Sequence, residues 1–193
     1  MFYSCGVAYD SAESLEVAQA RKCGICCELL DIKTGDRILD FGCGWGSWLI
    51  YVAKHHDVTC KGMTISQNQY DWATRRVKEE GLEHKVQILL CDYREIKKET
   101  HAQFDKITCF EMSEHVGITN YQTFMAQVRS LLKPDGFFFL QIAGLRRPWK
   151  YEDLIWGNFM GKYIFPGADA SCPLYWDINQ LERGGFEIQT VRN

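Results

Sequence analysis

At 193 residues, 46% hydrophobic and 24% charged, the chain has the make-up of one ordinary globular domain, which excludes a disordered tail or a collagen-like rod. Its 22 Lys and Arg against 25 Asp and Glu leave a net charge of −3, too little basic excess for a general nucleic-acid binder, so no nucleic-acid partner is expected. The longest apolar stretch, Gly136 to Gly144, falls short of the about 20 residues that cross a bilayer, and Met1 to Asp10 lack the basic and apolar regions of a signal peptide, so the default is a soluble, cytoplasmic domain.

Strand-like and helix-like runs alternate along the chain, which predicts an α/β domain with a mostly parallel sheet. A helix is expected over Ser14 to Leu30, and a short buried strand from Arg37 to Gly42. Helix then follows over Ser47 to His56, strand over Val58 to Thr64, and helix over Gln67 to Gly81, with glycine as the stop signal. Strands are predicted at Val86 to Cys91 and Phe104 to Glu111, and a helix at Tyr121 to Leu132. Lys133-Pro134-Asp135-Gly136 reads as a turn before a central strand, Phe137 to Ile142. From Leu145 to about position 175 the texture changes to an aromatic insertion, read as a lid over the carboxyl edge of the sheet. A helix from Trp176 to Arg183 and a sixth strand from Phe186 to Val191 close the pattern. The whole of 1–193 is expected to be a single domain.

Nine cysteines, an odd number scattered along the chain, do not form a disulfide framework. Several lie in apolar strand-like runs, as Cys91 and Cys109 do, where cysteine acts as a small hydrophobe. Cys23-Gly-Ile-Cys26-Cys27 sits inside a helical pattern with no second pair at zinc-ribbon spacing, so reduced thiols and no metal site are expected.

The chemistry-bearing stretch is Asp40-Phe41-Gly42-Cys43-Gly44-Trp45-Gly46, which leaves a strand and opens a helix. Glycines there let the chain turn sharply and let a ligand approach main-chain N–H groups. The spacing is neither the dinucleotide G-x-G-x-x-G nor a phosphate loop, since no Gly-Lys-Ser/Thr follows. A ligand with a charged amino-acid end and no pyrophosphate suits it, although a plain tight turn would also use these residues.

LDFGCGWGSW, GMTISQNQ, FEMSEHVG and KYIFPGA, in that order, resemble the cyclopropane-fatty-acid synthase family of S-adenosylmethionine-dependent methyltransferases. The stretch LQIAGLRRPWKYEDLIWGNFMGKYIFPGADAS is most similar to its sphingolipid C-methyltransferase branch, and the resemblance runs from about Tyr3 to Arg192. It implies a Rossmann-like class I methyltransferase fold with helices on both faces of the sheet. It implies S-adenosyl-L-methionine as cofactor, with the glycine loop facing its methionine portion.

Carried over by position, Tyr3-Ser4 matches the pair that closes over the cofactor, and Ile38, Leu39, Asp40, Phe41, Gly42, Cys43, Gly44, Trp45 and Gly46 match the glycine loop. Thr64, Ile65, Ser66, Gln67, Asn68 and Gln69 match the segment beside ribose and adenosine, and Asp92, Tyr93 and Arg94 the adenine end. Each has a plain structural reading as well: Tyr3 as a terminal aromatic, Ser66 as a helix cap, Tyr93 as a strand-end aromatic. Asp40 would order the loop or meet the ligand's ammonium through water.

At the reacting end, Glu114 matches the family's active-site glutamate, which helps to hold a bicarbonate ion, and Cys5 matches a cysteine of that site. Gln141 stands where the family has a histidine, a departure shared with the sphingolipid branch. The resemblance also implies a membrane lipid substrate, methyl branching or cyclopropane closure at its alkene, and a peripheral membrane contact. The aromatic segment Trp149 to Phe165, with Arg146, Arg147 and Lys150, would form the acyl-chain entrance. Trp45, Trp48, Tyr121, Trp149, Trp156 and Phe159 are candidates to face a substrate cation. The family's final antiparallel strand and a His-Tyr segment would lie beyond Asn193, and the branch's membrane anchor before Met1. A small-molecule N-methyltransferase and a non-catalytic cofactor-binding protein remain alternatives.

Overall fold

The computed structural model describes residues 2–97, 103–146, 148, 150–168 and 171–192. Helix α1 (Leu15–Leu29) starts where the Ser14 hydroxyl accepts the Val17 N–H at 3.4 Å, a side-chain cap of the expected kind. Its inner face buries Ala18, Gln19, Lys22, Cys23, Cys26 and Cys27, residues three and four apart. Strand β1 (Arg37–Phe41), helix α2 (Ser47–His55), strand β2 (Thr59–Thr64), helix α3 (Gln67–Glu79) and strand β3 (Val86–Leu90) follow in close agreement with the sequence pattern. Strand β4 (Phe104–Phe110), helix α4 (Tyr121–Leu131), strand β5 (Leu132–Gln141), helix α5 (Tyr151–Phe159) and helix α6 (Leu174–Arg183) follow, with 3-10 turns at Tyr93–Glu95 and Ser113–His115 and one turn of π-helix over Met160–Ile164 after α5.

The sheet has the order β3-β2-β1-β4-β5, and β1 pairs in parallel with both β2 and β4, as β2 does with β3. Parallel neighbours need crossover connections, which α2 and α3 supply. Ile38 on one face of β1 and Leu39 and Phe41 on the other are all fully buried, so the central strand is covered on both sides. The order reverses at β1, where β2 leaves to one side and β4 lies on the other. Open α/β sheets bind ligands at such a switch point, beyond the carboxyl ends of the strands.

Two expectations are corrected. Lys133 to Gly136 do not form a free-standing turn: β5 begins at Leu132, directly after α4. Lys133 Nζ pairs with Asp105 Oδ1 at 2.5 Å, and a Cβ on Gly136 would come within 2.7 Å of the Asp105 carbonyl oxygen, so this backbone is pressed onto β4. Nor is the strand that follows a central one: β5 ends the strand order and is an edge strand among the described residues, which is why Pro134, lacking an N–H, is tolerated there. Second, residues 186–191 carry no strand among the described residues. Phe186 and Ile188 are more buried than their neighbours, in the alternation that suggested a strand, but no described segment supplies the ladder that would make it one.

The chain divides into two compact units: Met1–Phe110 with Leu131–Leu140, and Glu111–Ser130 with Gln141–Asn193. The first holds the sheet and the glycine loop; the second holds Glu114, α5 and α6. None of the nine cysteines is in a disulfide, and no cluster among the described residues could hold a metal ion.

Candidate active site

In the first unit the chain leaves β1 through a loop in which Gly42, Gly44 and Gly46 have φ of 71°, 53° and 77°. Side chains rarely adopt that left-handed backbone, which is the reason for three glycines in five residues. Cys43 N–H donates to the Met63 carbonyl at 2.8 Å, and Gly46 N–H to the Cys43 carbonyl at 3.0 Å, so the loop is anchored to the end of β2 and folded on itself. A Cβ on Gly44 would meet nothing within 4 Å, whereas one on Gly46 would lie 3.1 Å from Ala73 Cβ. Gly44 therefore opens the loop outward, and Gly46 lets it pack on α3. From α3, Arg76 Nη1 donates to both the Trp45 carbonyl and Ser47 Oγ, each at 2.8 Å. Arg76 escaped the sequence reading because it lies thirty residues from the loop in the chain, and helix spacing gives no sign of it.

The next strand ends flank this loop. Thr64 closes β2, and its hydroxyl donates to Gln69 Oε1 at 2.7 Å while accepting the Ser66 N–H at 3.2 Å. Ser66 Oγ in turn accepts the Gln69 N–H at 3.4 Å and caps α3, so its capping role is realised. Gln67 Nε2 reaches Asp71 Oδ1 at 2.8 Å, Asn68 lies beside it in the first turn, and Ile65 stands exposed. After β3, Asp92 caps a 3-10 turn, accepting from Arg94 N–H at 2.9 Å and Arg94 Nε at 2.8 Å. The Arg94 hydrogen bonds hold the Asp92 carboxyl down at about 2. Tyr93 lies edge-on to Phe41, with ring centroids 6.5 Å apart.

Not every matched position faces outward. Ile38, Leu39 and Phe41 are core side chains, and Cys43 is buried as well. Asp40 is 2% exposed and accepts the Thr108 hydroxyl at 2.7 Å. Burial pushes its carboxyl up to about 7, against the pull of that hydrogen bond and of Lys22. The Asp40 side chain is thus tied to β4 inside the core. At the amino terminus, Gln19 Nε2 donates to the Ser4 carbonyl at 2.7 Å and Lys22 Nζ to Ser4 Oγ at 2.6 Å, fastening Ser4 to α1. Tyr3 and Cys5, on either side, are exposed.

In the second unit Glu111, just past β4, takes φ of +49°, uncommon for a residue with a side chain. Its N–H donates to the Gln141 carbonyl at 2.8 Å, and its Oε1 accepts Gln141 Nε2 at 2.6 Å. Glu114 is 7% exposed, and its Oε1 accepts the Ala143 N–H at 2.7 Å. Burial raises its carboxyl above the usual range, against the Ala143 hydrogen bond, with the Glu111 charge adding to the rise. Asp177, on α6, is a buried acid absent from the sequence reading; burial first, and then Glu114, push it up to about 6. Its only sequence signal was a charge on the inner face of an amphipathic helix. Among the aromatics proposed to face a cation, Trp48 and Tyr121 are core residues, Trp45 lies edge-on to Trp72, and Trp156 and Phe159 stand exposed on α5. Trp149 and Arg147 lie outside the described residues.

A mostly parallel five-stranded sheet with a glycine loop at its switch point is the class I S-adenosylmethionine-dependent methyltransferase fold. Solved structures agree: the cyclopropane synthase MmaA2 from Mycobacterium tuberculosis has a TM-score of 0.86 at 26% identity, over 98% of this chain and 68% of that one. The mycolic acid cyclopropane synthase CmaA1 complexed with SAH and CTAB has a TM-score of 0.88 at 25% identity, over 99% of this chain and 68% of that one. The family model for mycolic acid cyclopropane synthetase matches residues 1–193, and the chain belongs to that family. Sphingolipid C9-methyltransferase A of Emericella nidulans is 45% identical over 99% of this chain, which covers 37% of that protein. Cyclopropane-fatty-acyl-phospholipid synthase of Escherichia coli K12 is 44% identical over all of this chain, which covers 47% of that enzyme. The chain thus spans less than half the length of these curated relatives.

Proposed function

We propose that the protein is an S-adenosyl-L-methionine-dependent methyltransferase that alkylates an alkene carbon of a membrane lipid, a sphingolipid long-chain base or an unsaturated fatty acyl chain. The glycine loop at the switch point carries this reading: its outward-facing Gly44 leaves room for a ligand to meet the backbone, which suits the methionine portion of the cofactor. Thr64 to Gln69 and Asp92 to Arg94, at the next strand ends, suit its ribose and adenine. The names of the relatives at 44–45% identity support a lipid alkene as acceptor.

When bound, the cofactor supplies an electrophilic methyl on a sulfonium. The chain's part is to align an alkene with it, exclude water and stabilise the positive charge that grows on the substrate carbon as the new C–C bond forms and the C–S bond breaks. A carboxylate such as Glu114 favours that charge electrostatically. A proton must then leave the substrate, from the new methyl to close a ring or from a neighbouring carbon to leave a branched alkene. In its protonated form, favoured by burial, Glu114 could also offer an O–H to bicarbonate. Gln141 supports this end through Glu111.

We further assign the lipid's approach to α5 and the π-turn, where Tyr151, Trp156, Phe159 and Tyr163 are exposed beside Lys150 and Lys162. Tryptophan and tyrosine suit the interfacial zone of a bilayer, and lysines its anionic head groups. No helix among the described residues is long and apolar enough to cross a membrane. Mass analysis of sphingolipids and unsaturated phospholipids incubated with the protein and methyl-labelled cofactor tests the reading. Incorporation of label into the acyl or long-chain-base carbons is expected; cofactor binding without any labelled lipid would overturn the acceptor assignment.

A further inference from the structure

Residues 2–7 run along α1 and are tied to it at successive positions. Gln19 Nε2 donates to the Ser4 carbonyl at 2.7 Å, Val7 N–H to the Ala18 carbonyl at 3.2 Å, and Arg21 Nη1 to the Val7 carbonyl at 2.8 Å. Between them, a Cβ on Gly6 would lie 3.1 Å from Ala18 Cβ, so this strap passes close against the helix. Lys22 adds the innermost tie. It is 3% exposed, and its Nζ donates to Ser4 Oγ at 2.6 Å while lying 4.5 Å from the centroid of the Phe2 ring and 5.3 Å from that of Phe110.

Phe110 fixes where the strap meets the sheet. It ends β4, and Cys109 before it is the register partner of Phe41 on β1, the residue that precedes the glycine loop. One ammonium therefore links α1, the strap and the strand end beside the loop. An ammonium in so dry a place attracts ring faces and a hydroxyl oxygen more strongly than it would in water, and these contacts help to offset the cost of burying its charge. We propose that Lys22 is a positioning residue for cofactor binding: through Phe2 and Ser4 it holds the strap, with exposed Tyr3 in its middle, beside the glycine loop. This role rests on the reading of that loop as the cofactor site. A site complete only with the strap in place binds with an affinity scaled by the fraction of molecules that have it there. Loosening the strap therefore weakens cofactor binding and leaves methyl transfer from the bound cofactor unchanged.

Hydrogen exchange over residues 2–12 and titration calorimetry with S-adenosyl-L-homocysteine test this on the unsubstituted protein, Lys22→Met and Ser4→Ala. Methionine keeps the apolar stem and removes the charge. Ser4→Ala removes the acceptor from a half-buried residue outside the core, so the comparison holds even if Lys22→Met fails to fold. In each variant the strap should exchange about tenfold faster and the affinity fall about tenfold, the scale of one hydrogen bond from a charged group. In turnover, KM for S-adenosyl-L-methionine should rise by that factor with kcat held within about twofold, whereas general damage to the fold would lower kcat as well. Unchanged affinity or unchanged strap exchange in either folded variant would overturn the positioning role, and so would a fall in kcat as large as the rise in KM. An unsubstituted protein that binds no S-adenosyl-L-homocysteine would instead overturn the cofactor reading of the loop, and faster exchange in the variants would then uphold the tie alone.

Discussion

Asp40 and Glu114 are both buried acids, yet the hydrogen bonds around them set them to different tasks. Asp40 has a donor in Thr108 of β4, whereas Glu114 keeps one oxygen without a partner among the described residues. Glu114→Gln should leave cofactor affinity within a few-fold and slow methyl transfer by roughly 10² to 10⁴, the usual range for a placed acid–base group. Titration calorimetry beside a lipid turnover assay checks both halves. Asp40 bears on stability instead. Its folded value of about 7 exceeds that of an unfolded aspartate, about 3.9, so the native state holds the proton more tightly. The stability it contributes is complete below about pH 4 and is lost as the pH rises through about 7. Asp40→Asn keeps an acceptor for Thr108 and removes that titration, so its Tm should fall less than the unsubstituted protein's between about pH 4 and about pH 8. Scanning calorimetry across that range reads the difference. Glu114 could be matched from the sequence because its neighbours form a motif. Arg76 and Asp177 could not, since a helix pattern shows which face is inward but not what waits there.

At the scale of elements, the sequence was legible wherever local signals agreed with the tertiary answer. Ser14 and Ser66 cap their helices, glycines open α2, and the strands of the parallel sheet appear as short apolar runs. Legibility failed where pairing across the sheet decided the outcome. Lys133-Pro134-Asp135-Gly136 has the composition of a turn, but a salt bridge to Asp105 and close backbone contact draw it into β5. Residues 186–191 show the opposite case, an alternating pattern without a ladder among the described residues. The glycine loop gives the prediction that belongs here. Gly44→Val places a branched side chain on a backbone at φ 53°, where the carbon has open space but the conformation is strained. The added bulk meets no neighbour, so the cost falls on the backbone, and affinity is compared on variant protein that is folded by circular dichroism. The variant should bind S-adenosyl-L-methionine at least about tenfold more weakly, a loss of about 1.4 kcal/mol. Circular dichroism and calorimetry together check this; unchanged affinity would detach the loop from the cofactor.

For the molecule as a whole, the lipid approach proposed above rests on the exposed aromatics of α5 and the π-turn. The protein should co-sediment with anionic vesicles and less so with neutral ones. Replacing Trp156, Lys162 and Tyr163 together by alanine should return most of it to the supernatant, since each basic group near a charged surface contributes about 1 kcal/mol and the aromatics add interfacial burial. Equal partitioning of both proteins would move the lipid contact elsewhere. The cysteines offer a different measurement. Seven of the nine are buried, and desolvation pushes the thiols of Cys23 and Cys60 up to about 12 and that of Cys27 up to about 11. A thiolate must form and be reached before an alkylating reagent can react, so each of these side chains is silent until the structure around it opens. Cys172 belongs to the second unit and the other six buried thiols to the first. The protein thus carries its own set of clocks: the order in which these sulfurs take up label tells whether the two units open together or one before the other.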